Sequence, residues 1–211
     1  MHVHTQVGQG TGSQKGLVML EKEIKILLSK EQYDQVKGLF SWDKDYLQSN
    51  YYFIDLEKFK KSRGFDAMCN TVRIREKGNE FRLQVKAFVS KQGNLHIMRE
   101  FEKKVDKVNE VVYSAELEDL TGMKFNDLDS IGKLVTHRKE CNKYKGITIC
   151  LDKNNYLGIE DYELELEYNG DYPDFLVDKL EESGIYTGGD EVDGKYIRFT
   201  KSWDKGRGSL A

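Results

Sequence analysis

Cysteine, proline and one-sided charge are all scarce in this chain, and each scarcity removes a class of answer. Three cysteines occur among 211 residues, Cys69, Cys141 and Cys150. They show no CxxC spacing and leave an odd count, which excludes a paired disulfide framework and fits free thiols in a reducing, cytoplasmic setting. Cys150, inside "ITICLD", reads as a small apolar filler. The single proline, Pro173, and the lack of Pro-rich or Ser-rich stretches leave no linker to divide the chain. No apolar run approaches the ~20 residues that a membrane-spanning helix requires. The 36 acidic and 33 basic side chains give a formal net charge of -3, too small for a global field that would hold nucleic acid or anionic lipid. Any charge-driven chemistry is therefore local.

Residues 1–18, rich in Gly, Gln, Ser and Thr with no apolar middle, read as a flexible leader of the kind expression vectors add, ahead of a native start at Met19. Its His2 and His4 have no fixed geometry and receive no role. Residues 19–200 then read as one domain and 201–211 as a tail.

The dominant pattern from Met19 onward has period two, the mark of strands with two chemically different faces. Helices are few. "SKEQYDQVKGLF" offers Ser29 as N-cap with Gln32 three residues on, and places Tyr33, Val36 and Phe40 on one face. "NEVVYSAELEDLTG" and "NDLDSIGKL" read as a helical excursion ended at Gly122 and Gly132. "DYPDFLVDKLEESG" sets Pro173 in a first turn and Gly184 past the end, with Phe175, Leu176 and Leu180 as its stripe.

The strands carry the chemistry. "LEKEIKILL" puts Glu21, Glu23 and Lys25 on one face and Ile24 and Ile26 on the other. "NTVRIREKG" alternates Arg73 and Arg75 with Val72 and Ile74, then turns at Lys77-Gly78 into "EFRLQVKAF", where Arg82, Gln84 and Lys86 oppose Phe81, Leu83 and Val85. "IMREFEKKV" groups Glu100 with Glu102, "LVTHRKE" groups Thr136 with Arg138, and "ITICLDK" sets Asp152 in phase with Thr148. "DYELELEYN" lines up Glu163, Glu165 and Glu167 against Tyr162, Leu164, Leu166 and Tyr168.

A sheet face that merely meets water mixes its signs, because like charges side by side cost roughly 0.2–1 kcal/mol. Here carboxylates gather with carboxylates and guanidiniums with guanidiniums, so something must neutralise them. Grouped carboxylates suit hard divalent cations, and grouped Arg and Lys suit a polyphosphate. Both together suggest a metal-chelated polyphosphate inside a sheet curled into a barrel, with helices covering its apolar exterior.

These residues resemble the CYTH, or triphosphate tunnel metalloenzyme, superfamily. "EKEIK" matches the opening ExExK strand, "NYYFID" the second strand, "VRIRE" the paired arginines, "LQVK" the tunnel lysine, "DYELELEY" the late acidic strand and "GKYIRF" the closing motif. They run in order from Leu20 to Phe199. The resemblance implies an α+β protein built on a closed eight-stranded antiparallel barrel, or tunnel, that binds a triphosphate with Mg2+ or Mn2+. It implies metal ligation by Glu21, Glu23, Asp152, Glu165 and Glu167, with Asp152, Glu165 and Glu167 catalytic. It implies a phosphate grip by Lys25, Arg73, Arg75, Lys86, Arg138 and Lys195, and gives Glu100, Glu102, Glu163 and Arg198 less defined places. The stretch "LEKFKKSRGFDAMC" departs from the family's short turn, and Thr136 stands where some relatives carry a base. Tyr196 reads as a packing residue, and His137, out of phase with Arg138, as structural.

The expected activity is hydrolysis of tripolyphosphate or an organic triphosphate. The alternatives are cyclisation of ATP, as in one branch of the superfamily, and non-catalytic polyphosphate binding. The expected partner is a small triphosphate or polyphosphate, with no nucleic acid or membrane.

Overall fold

The structure, a computed structural model, describes residues 17–62, 70–188 and 192–208. Most of the leader, with His2 and His4, lies outside these residues, as do Cys69 and much of the departing stretch before it. Strands β1 (Leu17–Leu28), β2 (Lys44–Ile54), β3 (Thr71–Lys77), β4 (Glu80–Gln92), β5 (Leu95–Val105), β6 (Val111–Val112), β7 (Leu128–Tyr144), β8 (Ile147–Tyr156) and β9 (Ile159–Tyr168) form one antiparallel sheet. Its order is β2-β3-β4-β5-β1-β9-β8-β7-β6, and a further β2–β7 pairing closes it. Eight strands make the ring, and the short β6 is appended to the outside of β7's seam. The expected closed antiparallel barrel is the fold.

Closure gives the alternation two destinations. On β1, β8 and β9 the outward set, Ile24, Ile149, Leu151, Leu164 and Leu166, is fully buried. It packs under α1 (Lys30–Leu39) through Tyr33 and Val36, and under α4 (Asp174–Glu182) through Leu176 and Leu180. Each such aliphatic side chain contributes about 1.5–3 kcal/mol on leaving water. The α1 start is the one read from sequence. Ser29 accepts from the Gln32 amide while the Gln32 side chain returns to the Ser29 amide, so two orphan donors are satisfied reciprocally. A second outer cluster covers Val72, Ile74, Leu83 and Val85 with Leu117 and Leu120 of α3 (Ser114–Thr121), which ends at Gly122 in the left-handed region. A short α2 (Leu56–Ser62) follows β2.

The last helix, α5 (Lys195–Gly208), works differently. Tyr52, Leu134 and Tyr156 sit in phase with the lumen-facing residues of their strands, and they cluster with Tyr196, Ile197 and Phe199 of α5. Tyr52 meets Tyr196 edge-on and Phe199 at a tilt, with ring centroids 5.3 and 5.1 Å apart. The helix therefore closes one end of the barrel with an apolar plug, and Tyr196 packs as expected.

One expected helix is absent. "NDLDSIGKL" forms the first half of β7, because a bulge intervenes: Tyr52 pairs with Gly132 while Phe53 pairs with Ser130, leaving Ile131 as the extra residue. Gly132 has φ 123, and a Cβ there would meet the Phe199 ring at 3.3 Å, so the bulge and the plug share one glycine.

Candidate active site

Register fixes which charges meet. Partners across an antiparallel pair share a face, so the pairs Glu23↔Glu167 and Lys25↔Glu165 place β1 and β9 side by side as an acidic wall. Arg75↔Arg82 and Thr71↔Lys86 carry the basic residues of β3 and β4. In the eight-membered ring β3 stands four strands from β9, so the guanidiniums of Arg73 and Arg75 face the acidic wall across the lumen. Every site residue expected from sequence lies on this inner surface or on α5 reaching into it.

Glu165 is the hub of the α5 end. It receives Lys25 at 2.8 Å, Lys195 at 2.9 Å and Arg138 at 2.5 Å. Burial alone would raise its pKa, but these cations hold the carboxyl well below the usual range. Burial likewise opposes the charge on Lys25, yet Glu165, Glu23 and Glu163 keep it well above its ordinary value. Asp152, with no exposure, is gripped at both oxygens by Arg138, at 2.8 and 2.6 Å, and again by Lys195 at 2.9 Å. Glu163 is buried too, and despite that burial Arg198 and Lys195 draw its carboxyl down to about 2. Arg198 also binds Asp161 at 2.9 Å. The role of Arg198 is thus to anchor α5 to the acidic wall.

Toward the other end the charges are less matched. Glu21 pairs with Lys86, which lies 3.9 Å from Glu100. Glu102 accepts from Arg82 and Gln84, both at 2.8 Å. Arg73 donates to Gln84 at 2.8 Å and reaches Glu100 only at 3.9 Å. Arg75 donates to Asn50 at 3.0 Å and makes no ion pair among the described residues. Burial, then the neighbouring Arg73 and Arg138, push its guanidinium down to about 10. Opposite, burial, then Glu21, push the Glu167 carboxyl up to about 7. Glu23 pairs with Lys25 at 2.7 Å and Glu167 reaches Arg138 at 3.5 Å, so the least committed charges of the lumen are the Arg73 and Arg75 guanidiniums.

Among the described residues, two groups could hold a metal ion. One oxygen each from Glu21, Glu23 and Glu167 lie within 4.8 Å of one another, an all-oxygen set that fits a hard cation, and the raised Glu167 carboxyl marks a place short of positive charge. The second group is Cys150, Glu165 and Glu167. Cys150 is therefore no filler of the outer core: it is in phase with Asp152 and its thiol lies 3.8 Å from Glu167. Strand phase alone could have shown this. Cys141 does pack in the outer core, and both thiols are free.

Sequence reasoning missed the neutral lining. Gln48, Asn50 and Asn154 are buried in phase with the charges, and Thr136, already grouped with Arg138 from the sequence, donates to Asn154 at 2.8 Å. His96, on β5 opposite Glu23, is buried as well. Their signal was position in the alternation, without the charge that draws notice. His137 points outward and pairs with Asp45, as its phase required.

The comparisons with known proteins agree with this geometry. Bacillus subtilis YjbK, named as a candidate triphosphatase, is 28% identical over 152 residues, 70% of this chain and 77% of that protein. A Bacillus halodurans structure, named as a candidate adenylate cyclase, is 26% identical with a TM-score of 0.60, covering 86% of this chain and 98% of the other. Hippeastrum HpAC1, described as a candidate adenylyl cyclase with a dominant triphosphatase activity, shares the fold at 20% identity and a TM-score of 0.65, over 86% of this chain and 95% of its own. The CYTH domain profile matches residues 19–188, and with the tunnel and its facing charges in place the chain belongs to the CYTH domain family.

Proposed function

We propose that the protein is a metal-dependent hydrolase of tripolyphosphate or an organic triphosphate bound along the tunnel. The observation that carries this reading is the opposition across one enclosed lumen of Arg73 and Arg75 to the Glu21, Glu23 and Glu167 carboxylates. A polyphosphate bridged to a cation fits that gap, its oxygens toward the guanidiniums and the cation toward the carboxylates.

Arg73 and Arg75 grip the phosphate oxygens and stabilise charge on the group in transfer, since their donors are not committed to carboxylates. Lys25, Arg138 and Lys195 are held in the lumen by Glu165 and Asp152, and an entering phosphate competes for them. Those ion pairs act as placeholders that keep long side chains aimed inward, which lowers the ordering cost on binding. Glu21, Glu23 and Glu167 would hold Mg2+ or Mn2+, which when bound supplies charge neutralisation and Lewis acidity at the phosphoanhydride. Asp152, Glu165 and Glu167 line the same stretch of the lumen and are the candidate acceptors for the proton of the attacking water.

ATP cyclisation is the weaker reading, because among the described residues the Tyr46 ring, in phase with Gln48 and Asn50 on β2, is not free to stack on a base. Lys77 covers the Tyr46 ring, its ammonium 3.4 Å from the centroid. Purified protein with Mg2+ or Mn2+ is expected to release phosphate from tripolyphosphate, and Glu23→Ala or Arg75→Ala to lose most of that release. Inactivity of the wild type across inorganic and organic triphosphates with both metals would overturn the reading, and cyclic AMP with pyrophosphate from ATP would replace it with the cyclase.

A further inference from the structure

The described residues hold four buried side-chain polar atoms with no hydrogen-bond partner: Asn50 Nδ2, Tyr52 OH, His96 Nε2 and Glu163 Oε1. All four belong to lumen-facing positions. Buried polar groups are satisfied in the great majority of cases, and each orphan costs roughly 1–3 kcal/mol. Their concentration in one enclosed space says that the space is built for a guest. Three of the four can donate, and a polyphosphate offers acceptors only.

His96 is the most specific of these. It is 9% exposed, opposite Glu23 in the β1–β5 register, and in phase with Met98, Glu100 and Glu102 along β5. Lys25, Lys91 and Glu163 are its other charged neighbours, which puts it beside the α5 end of the polar lumen, on the opposite flank from Arg75. An imidazole placed only to fill space would bond its ring nitrogens to the backbone or give way to an aliphatic residue.

We propose that His96 contacts the substrate, its Nε2–H donating to an oxygen of the phosphate lodged at the α5 end of the tunnel. This rests on the triphosphate reading above. Because the guest only accepts, the ring must carry its proton on Nε2. A neutral donor here adds a bond without adding another positive charge beside Lys25 and Lys91.

The test combines kinetics and spectroscopy on the full chain. With tripolyphosphate and Mg2+, His96→Phe is expected to raise KM roughly 10–100-fold, the loss of one hydrogen bond to a charged group, with kcat little changed. His96→Gln, which keeps a neutral N–H, should recover most of the loss, whereas a packing role would favour the Phe variant. In 15N spectra of histidine-labelled wild type, the resonance missing from His96→Gln should report the Nε2–H tautomer and move when tripolyphosphate is added. Wild-type turnover with an unchanged KM in His96→Phe, or an Nδ1–H ring that ignores tripolyphosphate, overturns the inference and leaves the function standing. A wild type that neither binds nor hydrolyses tripolyphosphate overturns both.

Discussion

Replacing Arg75 by methionine should make the substrate-free protein more stable and nearly inactive. A guanidinium held at about 10 instead of 12.5 sits in an environment that disfavours its charge by about 3 kcal/mol. Arg75 is part-open to the lumen, so water screens that figure, and about 2 kcal/mol is the better measure. Methionine removes the charge at similar length but also removes the bond to Asn50, worth about 1 kcal/mol. The net gain is about 1 kcal/mol, or ~2–4 °C in Tm for a domain of this size. The functional loss runs the other way, because a donor aimed at transferring charge is worth roughly 10²–10³ in rate. Thermal unfolding with and without tripolyphosphate reads both effects. Wild type should gain about 2.7 kcal/mol at one hundred times Kd, and Arg75→Met should start higher yet gain far less at the same concentration. A variant that is less stable when free, and that keeps the full ligand-induced shift, would refute the claim that Arg75 awaits a phosphate.

Glu163 gives a pH dependence. Its folded pKa is depressed to about 2, so its contribution, on the order of 3 kcal/mol, is complete above pH 4.5 and is lost as pH falls towards 2. Urea midpoints measured across that window should fall in wild type and flatten in Glu163→Gln. Gly132→Ala places a side chain at φ 123 against the Phe199 ring, and should cost roughly 1–3 kcal/mol by denaturant titration; a neutral result would deny the plug. Chelation should abolish phosphate release, restored by Mg2+ or Mn2+, and Glu21→Gln should raise the metal concentration needed for half-restoration without altering the far-UV spectrum.

The barrel was legible because its two faces differ in kind. Ile24, Leu164 and Leu166 oppose Glu23, Glu165 and Glu167 so sharply that strand, face and register follow from alternation. The expected site residues meet for the same reason, since like charges recur at fixed phase on strands that close on themselves. The misreading at "NDLDSIGKL" has a physical source. Leu128, Ile131 and Leu134 are spaced by three, as on a helix, but the extra residue at the bulge produces that spacing within a strand. The plug escaped notice because α5's apolar residues make sense only beside Tyr52 and Tyr156, which are distant in sequence. Asn50 and His96 escaped because a neutral polar residue in a strand looks the same whether it faces water or a lumen.

The most direct measurement is a crystal structure of the protein soaked with tripolyphosphate and Mn2+. The account places the phosphate chain on the barrel axis, its oxygens on Arg73 and Arg75 and the metal's anomalous signal between Glu21, Glu23 and Glu167. Phosphate density confined to the outer surface, with the lumen's ion pairs unchanged and no metal at that trio, would contradict it.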